Sequence, residues 1–242
     1  MSGNGKLHTG ILREAVLALL KLTMESRLIK AKDLAEASLL TSREASLTLK
    51  SFAGEGLSSK VRGGFKVSPL QRVQLALKAV RLGVSPDEAC KNLSWSEFEK
   101  AVKQALELNG YKAVSHLKIK VEGRFSEIDV FAVKGETALL VDCKHWKKPL
   151  RSSEALKIVE AQNRRVEALG RRNNVSILRV KMGRKINRKF YVIPVVVTLF
   201  ETSQKILDGT PIVPVSKLPS FLNEIPAYIY VLKRRLVRLG ED

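Results

Sequence analysis

The sequence predicts an α/β protein: a mainly helical N-terminal region, then an α-β-β-β-α-β order that builds a mixed sheet. Three observations predict it. Apolar residues recur at helical spacing in several N-terminal segments. Three apolar runs at about 117–121, 125–133 and 137–143 are separated by Glu122-Gly123 and Lys134-Gly135-Glu136. A fourth run, 191–199, follows only after a further helical segment.

Taken in order, Thr9 to Leu22 carries apolar residues at 11, 12, 16, 17, 19 and 20, a helical pattern. Ala31 to Leu40 reads as a second short helix. Thr41 or Ser42 caps a third, which runs to about Gly54 or Leu57. In 60–67, two short runs flank Gly63-Gly64, a two-residue hairpin signal. Three helices and a basic hairpin resemble a winged helix-turn-helix over 1–68. That resemblance implies DNA contact, with the third helix in the major groove and Lys60, Arg62 and Lys66 of the wing on phosphates. Winged helices also serve as protein–protein modules, and the same charges suit a merely solvated hairpin. Pro69 to Gly83 and the Ser85-Pro86 helix start form a helical connector, 69–93.

From Ser94 onward, 94–242, the α/β pattern begins. Trp95, Phe98, Val102, Ala105 and Leu106 share one side of a helix that Asn109-Gly110 ends. After the three strands comes a helix from about Ser153 to Leu169, closed by Gly170. A basic stretch follows from Arg171 to Lys189. Strands at 191–199 and 211–215 and a short helix at Pro219 to Ile225 complete the chain.

The bulk composition narrows the function. With 242 residues and 45% hydrophobic content, the chain can bury a core. Lys plus Arg number 43 against 24 Asp plus Glu, a formal net charge of +19, so a polyanion is the expected partner and DNA the first candidate. The 228–239 segment has the composition of a basic membrane anchor, but positive charge is spread along the whole chain. Pro194 interrupts the longest apolar run, so no membrane span is expected. The N-terminus lacks the apolar core of a signal peptide. Cys90 and Cys143 are too few for a disulfide framework, and a cytoplasmic protein is expected. No Walker-type loop is present, so no nucleotide cofactor is expected. His8, His116 and His145 show no metal-ligand spacing.

The chemistry concentrates in 127–144. The apolar run 138–141 has the character of a buried strand, and it ends in Asp142-Cys143-Lys144. Residues two apart share a strand face, so Asp142 and Lys144 emerge side by side. Desolvating such charges is expensive and calls for a reason. On the preceding strand Asp129 interrupts Ile128 and Val130, and a tight hairpin brings it near Asp142. Two close carboxylates suit Mg²⁺, with Mn²⁺ as a substitute; Lys144 suits orientation of an attacking water during phosphodiester hydrolysis. The Cys143 carbonyl is a further candidate ligand, while its side chain is a packing group.

Asp129, thirteen residues before Asp142-Cys143-Lys144, resembles the split motif of PD-(D/E)xK nucleases. The run Trp95-Ser96-Glu97-Phe98-Glu99, then Asn109-Gly110-Tyr111, Ile128-Asp129 and Asp142-Cys143-Lys144-His145-Trp146, is similar to Mrr-type restriction endonucleases and archaeal Holliday-junction resolvases. The resemblance covers about 94–215 and implies a restriction-endonuclease-like core. It also implies a metal role for Glu99. Ile128 replaces the motif's proline, and Asp142 stands where Glu is commoner. Glu99 has a second reading as the partner of Ser96 in a capping box, and Ser94 with Glu97 fits a box equally well.

Gln162 interrupts the apolar pattern of its helix, as either a substrate contact or a hydrogen-bonded boundary residue. Lys147, Lys148 and Arg151 are candidate phosphate contacts. Arg164, Arg165, Arg171 and Arg172, with 181–189, form a second basic zone. The expectation is a Mg²⁺-dependent DNA endonuclease acting as a homodimer. The alternatives are an inactive nuclease-like DNA-binding or regulatory protein and an RNA-processing endonuclease.

Overall fold

The computed structural model describes residues 9–25, 28–146, 148, 150–183 and 189–239. The chain folds as two compact units, Met1–Ala101 and Val102–Asp242.

The first unit holds α1 (Thr9–Leu22), α2 (Ala31–Glu36), α3 (Ser42–Gly54), the hairpin β1 (Ser59–Val61) and β2 (Gly64–Lys66), α4 (Pro69–Arg81) and α5 (Pro86–Cys90). Its helix starts follow side-chain chemistry. Thr41 caps α3 and Ser68 caps α4, each returning a box with Glu44 and Gln71. The β1–β2 turn is Arg62-Gly63, and Gly64 lies within β2, one residue later than the Gly-Gly signal suggests. Ile29 bridges Phe65 here, and a Cβ on Gly64 would come 2.6 Å from the Ile29 carbonyl oxygen. The second glycine therefore serves a close backbone approach rather than the turn.

Arg72 is the buried hub of this unit. Its Nε donates to Glu97 Oε1 at 2.9 Å, one Nη to the Leu20 carbonyl at 2.7 Å and to Thr23 Oγ1, and the other to the Asn92 carbonyl. A guanidinium at this depth is tolerated because every nitrogen has a partner. The hub joins α1, α4 and the start of α6 (Trp95–Leu108), which contributes its first turns to this unit and the remainder to the next.

The second unit is built on a mixed sheet. Its strands are β3 (Lys112–Val121), β4 (Arg124–Lys134), β5 (Thr137–Lys144), β6 (Lys189–Thr198), β7 (Ile206–Leu207), β8 (Thr210–Pro214) and β9 (Arg235–Arg238). Their order is β3-β4-β5-β6-β8-β7, with β9 also on β6. Helices α7 (Ser152–Leu169) and α8 (Arg172–Met182) separate β5 from β6, and α9 (Leu218–Tyr228) follows β8. The β5–β6 pairing is parallel and the β3–β4–β5 meander antiparallel. This mixed α/β architecture is compatible with a restriction-endonuclease-like core. Leu117, Ile119, Ile128, Phe131 and Leu140 pack with Val166, Leu169, Leu178 and Phe190 in one core.

β6 is buried almost throughout, as an interior parallel strand should be. Pro194 is accommodated because β6 changes neighbours there. Residues 189–192 pair with β9 and 196–198 with β8, so no rung on that edge needs the missing amide.

Three features depart from the sequence expectations. The basic stretch after Arg171 forms α8 through Met182, with Asn174, Leu178 and Met182 buried. The 235–238 segment, basic in composition and given no strand by the sequence, forms β9, where Val237 pairs with Phe190. β3 begins at Lys112, five residues before the visible alternation. His116 takes φ 55°, switching which side chains face the core: Val114 packs inward before it, and Leu117 and Ile119 after it. Among the described residues, no helix is long and apolar enough to cross a membrane.

Candidate active site

The β4–β5 ladder supplies the frame. Its rungs run from Lys134↔Thr137 to Val130↔Val141 and stop there. At the next position Asp129 Oδ2 accepts the Cys143 N–H at 2.7 Å. A carboxylate thus serves as the acceptor just past the last main-chain rung. On the other side, β3 pairs Ser115↔Val130 and Leu117↔Ile128, leaving the intervening pair His116 and Asp129 without a rung. The left-handed His116 and the unladdered Asp129 together mark a local break in the pleat. Such breaks re-aim side chains and recur beside reactive centres.

Asp142 and Lys144 emerge from the same face of β5, as their spacing requires. Lys144 Nζ lies 2.7 Å from Asp142 Oδ2. Asp142 is 4% exposed, and its Oδ2 has no directed hydrogen bond despite the close ammonium. The structure therefore brings Asp129, Asp142, Lys144 and the Cys143 backbone together. The Cys143 side chain is fully buried, in keeping with a packing role.

Sequence reading missed the place of Arg165 in this cluster, having grouped it with Arg164, Arg171 and Arg172 in a second basic zone. From α7, Arg165 Nη1 donates to Asp142 Oδ1 at 3.0 Å and to Gln162 Oε1 at 2.9 Å. Its Nε donates to Ser126 Oγ at 2.9 Å. The available signal is spacing: Arg165 lies three residues after Gln162 and one before the buried Val166, so it can join the helix face that meets the sheet.

Gln162 is fully buried. Its amide nitrogen donates to the Leu140 carbonyl at 2.9 Å and the Val195 carbonyl at 3.0 Å, tying β5 to β6. Its carboxamide oxygen accepts from Arg165 Nη1, which also donates to Asp142. The neighbouring Asn163 donates to Asp208 Oδ2 at 2.7 Å and accepts from Thr210 Oγ1 at 3.0 Å, tying α7 to the β7–β8 turn.

The remaining candidates are spread more widely. Glu99 lies on α6 within the first unit and is 8% exposed. The capping box at that helix start is Ser94 with Glu97: Ser94 N–H donates to Glu97 Oε2 at 2.7 Å, and Glu97 N–H to Ser94 Oγ at 3.3 Å. Lys148 and Arg151 are exposed after β5, and Arg151 N–H donates to Glu154 Oε2 at 3.0 Å at the start of α7. Arg62 and Lys66 are exposed on the first-unit hairpin. Lys147 lies outside the described residues.

The donor set fits a hard divalent cation. Mg²⁺ is commonly held by one or two carboxylates, with water and substrate phosphate completing its shell. Asp129 and Asp142 supply two, and Asp142 Oδ2 is a buried oxygen lacking a directed donor. Among the described residues, no group of three His, Cys, Asp or Glu side chains is assembled to cage an ion on its own. Two carboxylates suit an ion whose shell is completed by water and substrate.

Residues 90–169 match the family model Mrr_cat, described as a restriction endonuclease. The matched segment contains Glu99, Asp129, Asp142, Cys143, Lys144, Gln162 and Arg165, and is consistent with the PD-(D/E)xK nuclease superfamily. Two solved structures are similar to the chain. One is a protein of unknown function, AF1548, 13% identical over 52% of this chain and 60% of that one, with a TM-score of 0.32. The other is VC1899 from Vibrio cholerae, 11% identical over 92% of this chain and 53% of that one, with a TM-score of 0.38. The chain thus spans between half and two thirds of the length of these structures. No curated protein sequence matches it.

Proposed function

We propose that the chain is a divalent-metal-dependent DNA endonuclease that hydrolyses phosphodiester bonds by attack of water. The observation that carries this reading is the convergence of Asp129, Asp142 and Lys144 around the Cys143 amide within a segment of restriction-endonuclease type. Asp129 and Asp142 would hold Mg²⁺, or Mn²⁺ in its place, with the Cys143 carbonyl as a further candidate ligand. The bound ion would supply Lewis-acid polarisation of the phosphate and a more acidic water.

The protein's own groups do the rest. Lys144 is held against Asp142, where its ammonium can orient the attacking water or offset negative charge on the phosphorane-like transition state. Arg165 fixes Asp142 Oδ1 and leaves Oδ2 facing Lys144. Lys148 and Arg151, exposed after β5, are candidates to meet flanking phosphates, with Lys147 as a third. In the first unit, the exposed Arg62 and Lys66, with Lys60, suit a winged helix that grips the duplex backbone. Action as a homodimer, to cut both strands, is part of the same proposal.

A second reading draws on one observation: both oxygens of Asp142 already face cations, Lys144 and Arg165. A site neutralised this way suits an inactive DNA-binding scaffold. Plasmid nicking with Mg²⁺ or Mn²⁺ separates the two. The endonuclease converts supercoiled plasmid to nicked circles only with metal, and Asp142→Ala abolishes it. Equal traces for wild type and Asp142→Ala remove the endonuclease reading, and metal-free gel shift then tests the scaffold.

A further inference from the structure

Beyond the last β4–β5 rung, β3 and β4 continue as a two-stranded arm. Five rungs, from Leu117↔Ile128 to Val121↔Arg124, lie on the far side of Asp129 from the rest of the sheet. The inner face of this arm is ordinary core: Leu117, Ile119 and Ile128 are buried. The outer face is not. Lys118, Lys120 and Glu127 are exposed there, Arg124 is exposed at the tip, and Phe125 is 70% exposed. Phe125 stands directly across from Lys120, whose Nζ lies 5.6 Å from the ring centre. Glu127 on this face is engaged by His116 Nδ1 at 2.8 Å.

The arm is braced. Asn174, 1% exposed on α8, accepts the Lys120 N–H at 2.8 Å and donates to the Lys120 carbonyl at 2.9 Å, mimicking a further strand. Its amide also donates to the Ala168 carbonyl at 2.8 Å. Arg165 holds Ser126 on the arm and Asp142 in the site with one guanidinium. A braced hairpin that presents a large aromatic to solvent among lysines has the features of a stacking surface for bases. Four strand residues, about 13 Å along β4, separate Phe125 from Asp129.

We infer that the β3–β4 arm binds an unpaired stretch of DNA beside the scissile phosphodiester, with Phe125 stacking on a base and Lys118, Lys120 and Arg124 on its phosphates. This inference rests on the endonuclease reading and gives it a substrate class: DNA in which a single-stranded segment adjoins the cut, as in a fork, flap or junction. In a continuous duplex the base faces are covered by their neighbours, so an aromatic platform has nothing to stack on.

The test uses the full chain without metal, so that binding is read apart from cleavage. Fluorescence anisotropy compares a single-stranded oligonucleotide, a forked duplex and a blunt duplex of equal length. Phe125→Ala is expected to weaken single-strand and fork binding roughly tenfold or more, and to change blunt-duplex binding less than about twofold. Phe125→Trp is expected to restore affinity, with indole emission quenched by the oligonucleotide. At 70% exposure the alanine variant leaves no cavity, and circular dichroism confirms its fold. Unchanged fork binding, equal loss on the blunt duplex, or no wild-type binding to unpaired DNA overturns the inference. The two readings fail separately. If Phe125 governs fork binding while no metal supports cleavage of plasmid or of the forked substrate, the endonuclease reading falls and only the arm's binding of unpaired DNA stands. If wild type nicks and Phe125→Ala binds and nicks normally, the arm falls alone.

Discussion

Asp129 Oδ2 and the Cys143 amide are 2.7 Å apart, so one carboxylate both ends the β4–β5 ladder and faces the C-terminal end of β5. Its two roles are separable. In Asp129→Asn the carboxamide oxygen still accepts the amide hydrogen while the charge is gone. The expected outcome is a loss of nicking of roughly 100-fold or more. Unfolding free energy should change by no more than about 1 kcal/mol. Nicking rates read beside urea unfolding check this; retained activity removes Asp129 from the metal site.

Arg165 is the second partner of a nearly buried carboxylate. Breaking a fully buried pair costs about 3–5 kcal/mol. Here the arginine side chain is 20% exposed and Lys144 still faces Asp142, so Arg165→Ala is expected to cost about 1–3 kcal/mol. Arg165→Lys keeps the charge but cannot span Ser126, Asp142 and Gln162 at once, so it should recover only part of the stability. Chemical denaturation of the three proteins measures this. A lysine variant as stable as wild type shows that charge alone matters.

Gln162 predicts a different signature. Gln162→Leu keeps the volume but removes the donor shared by the Leu140 and Val195 carbonyls. Two buried acceptors lose a partner, at about 2–3 kcal/mol in total. Gln162→Glu should be worse at neutral pH, because it turns a carboxylate toward two carbonyl oxygens. Thermal unfolding ranks them: wild type above Leu above Glu.

The order of elements was legible because strands and helices here carry their own periodicity. The Asp129, Asp142 and Lys144 grouping was legible because charges in an apolar strand ask for partners. Three things were hidden for physical reasons. The His116 backbone reversal scrambles alternation, so the first half of β3 has no strand pattern. Asp208-Gly209 makes the tight turn between β7 and β8, a hairpin signal whose flanking runs are too short to register. Arg165 looks like surface charge because only the fold reveals that Ser126, Asp142 and Gln162 converge on it.

The first-unit hairpin makes a prediction about salt. If Lys60, Arg62 and Lys66 meet phosphates, replacing all three by alanine lowers the slope of log affinity against log salt by about 2–3. Titrations of duplex DNA at several salt concentrations read that slope directly. An unchanged slope assigns the hairpin to another task, such as protein contact.

Cys90 links stability to alkaline pH. Burial first, and the nearby Asp87 charge second, push its thiol from about 9 up to about 12. The folded protein therefore keeps the proton while the unfolded chain releases it. Below about pH 9 the thiol is neutral in both states and its burial costs nothing extra. As pH rises from about 9 toward 12, the unfolded state gains by ionising and the fold loses up to about 1.4 kcal/mol per pH unit. Cys90→Ala removes that dependence. Its unfolding free energy should fall less steeply than wild type across this window, measured by urea denaturation at pH 8, 9 and 10. Parallel curves would mean that the thiol already ionises in the native state, and a thiolate-selective reagent would then label Cys90 without unfolding.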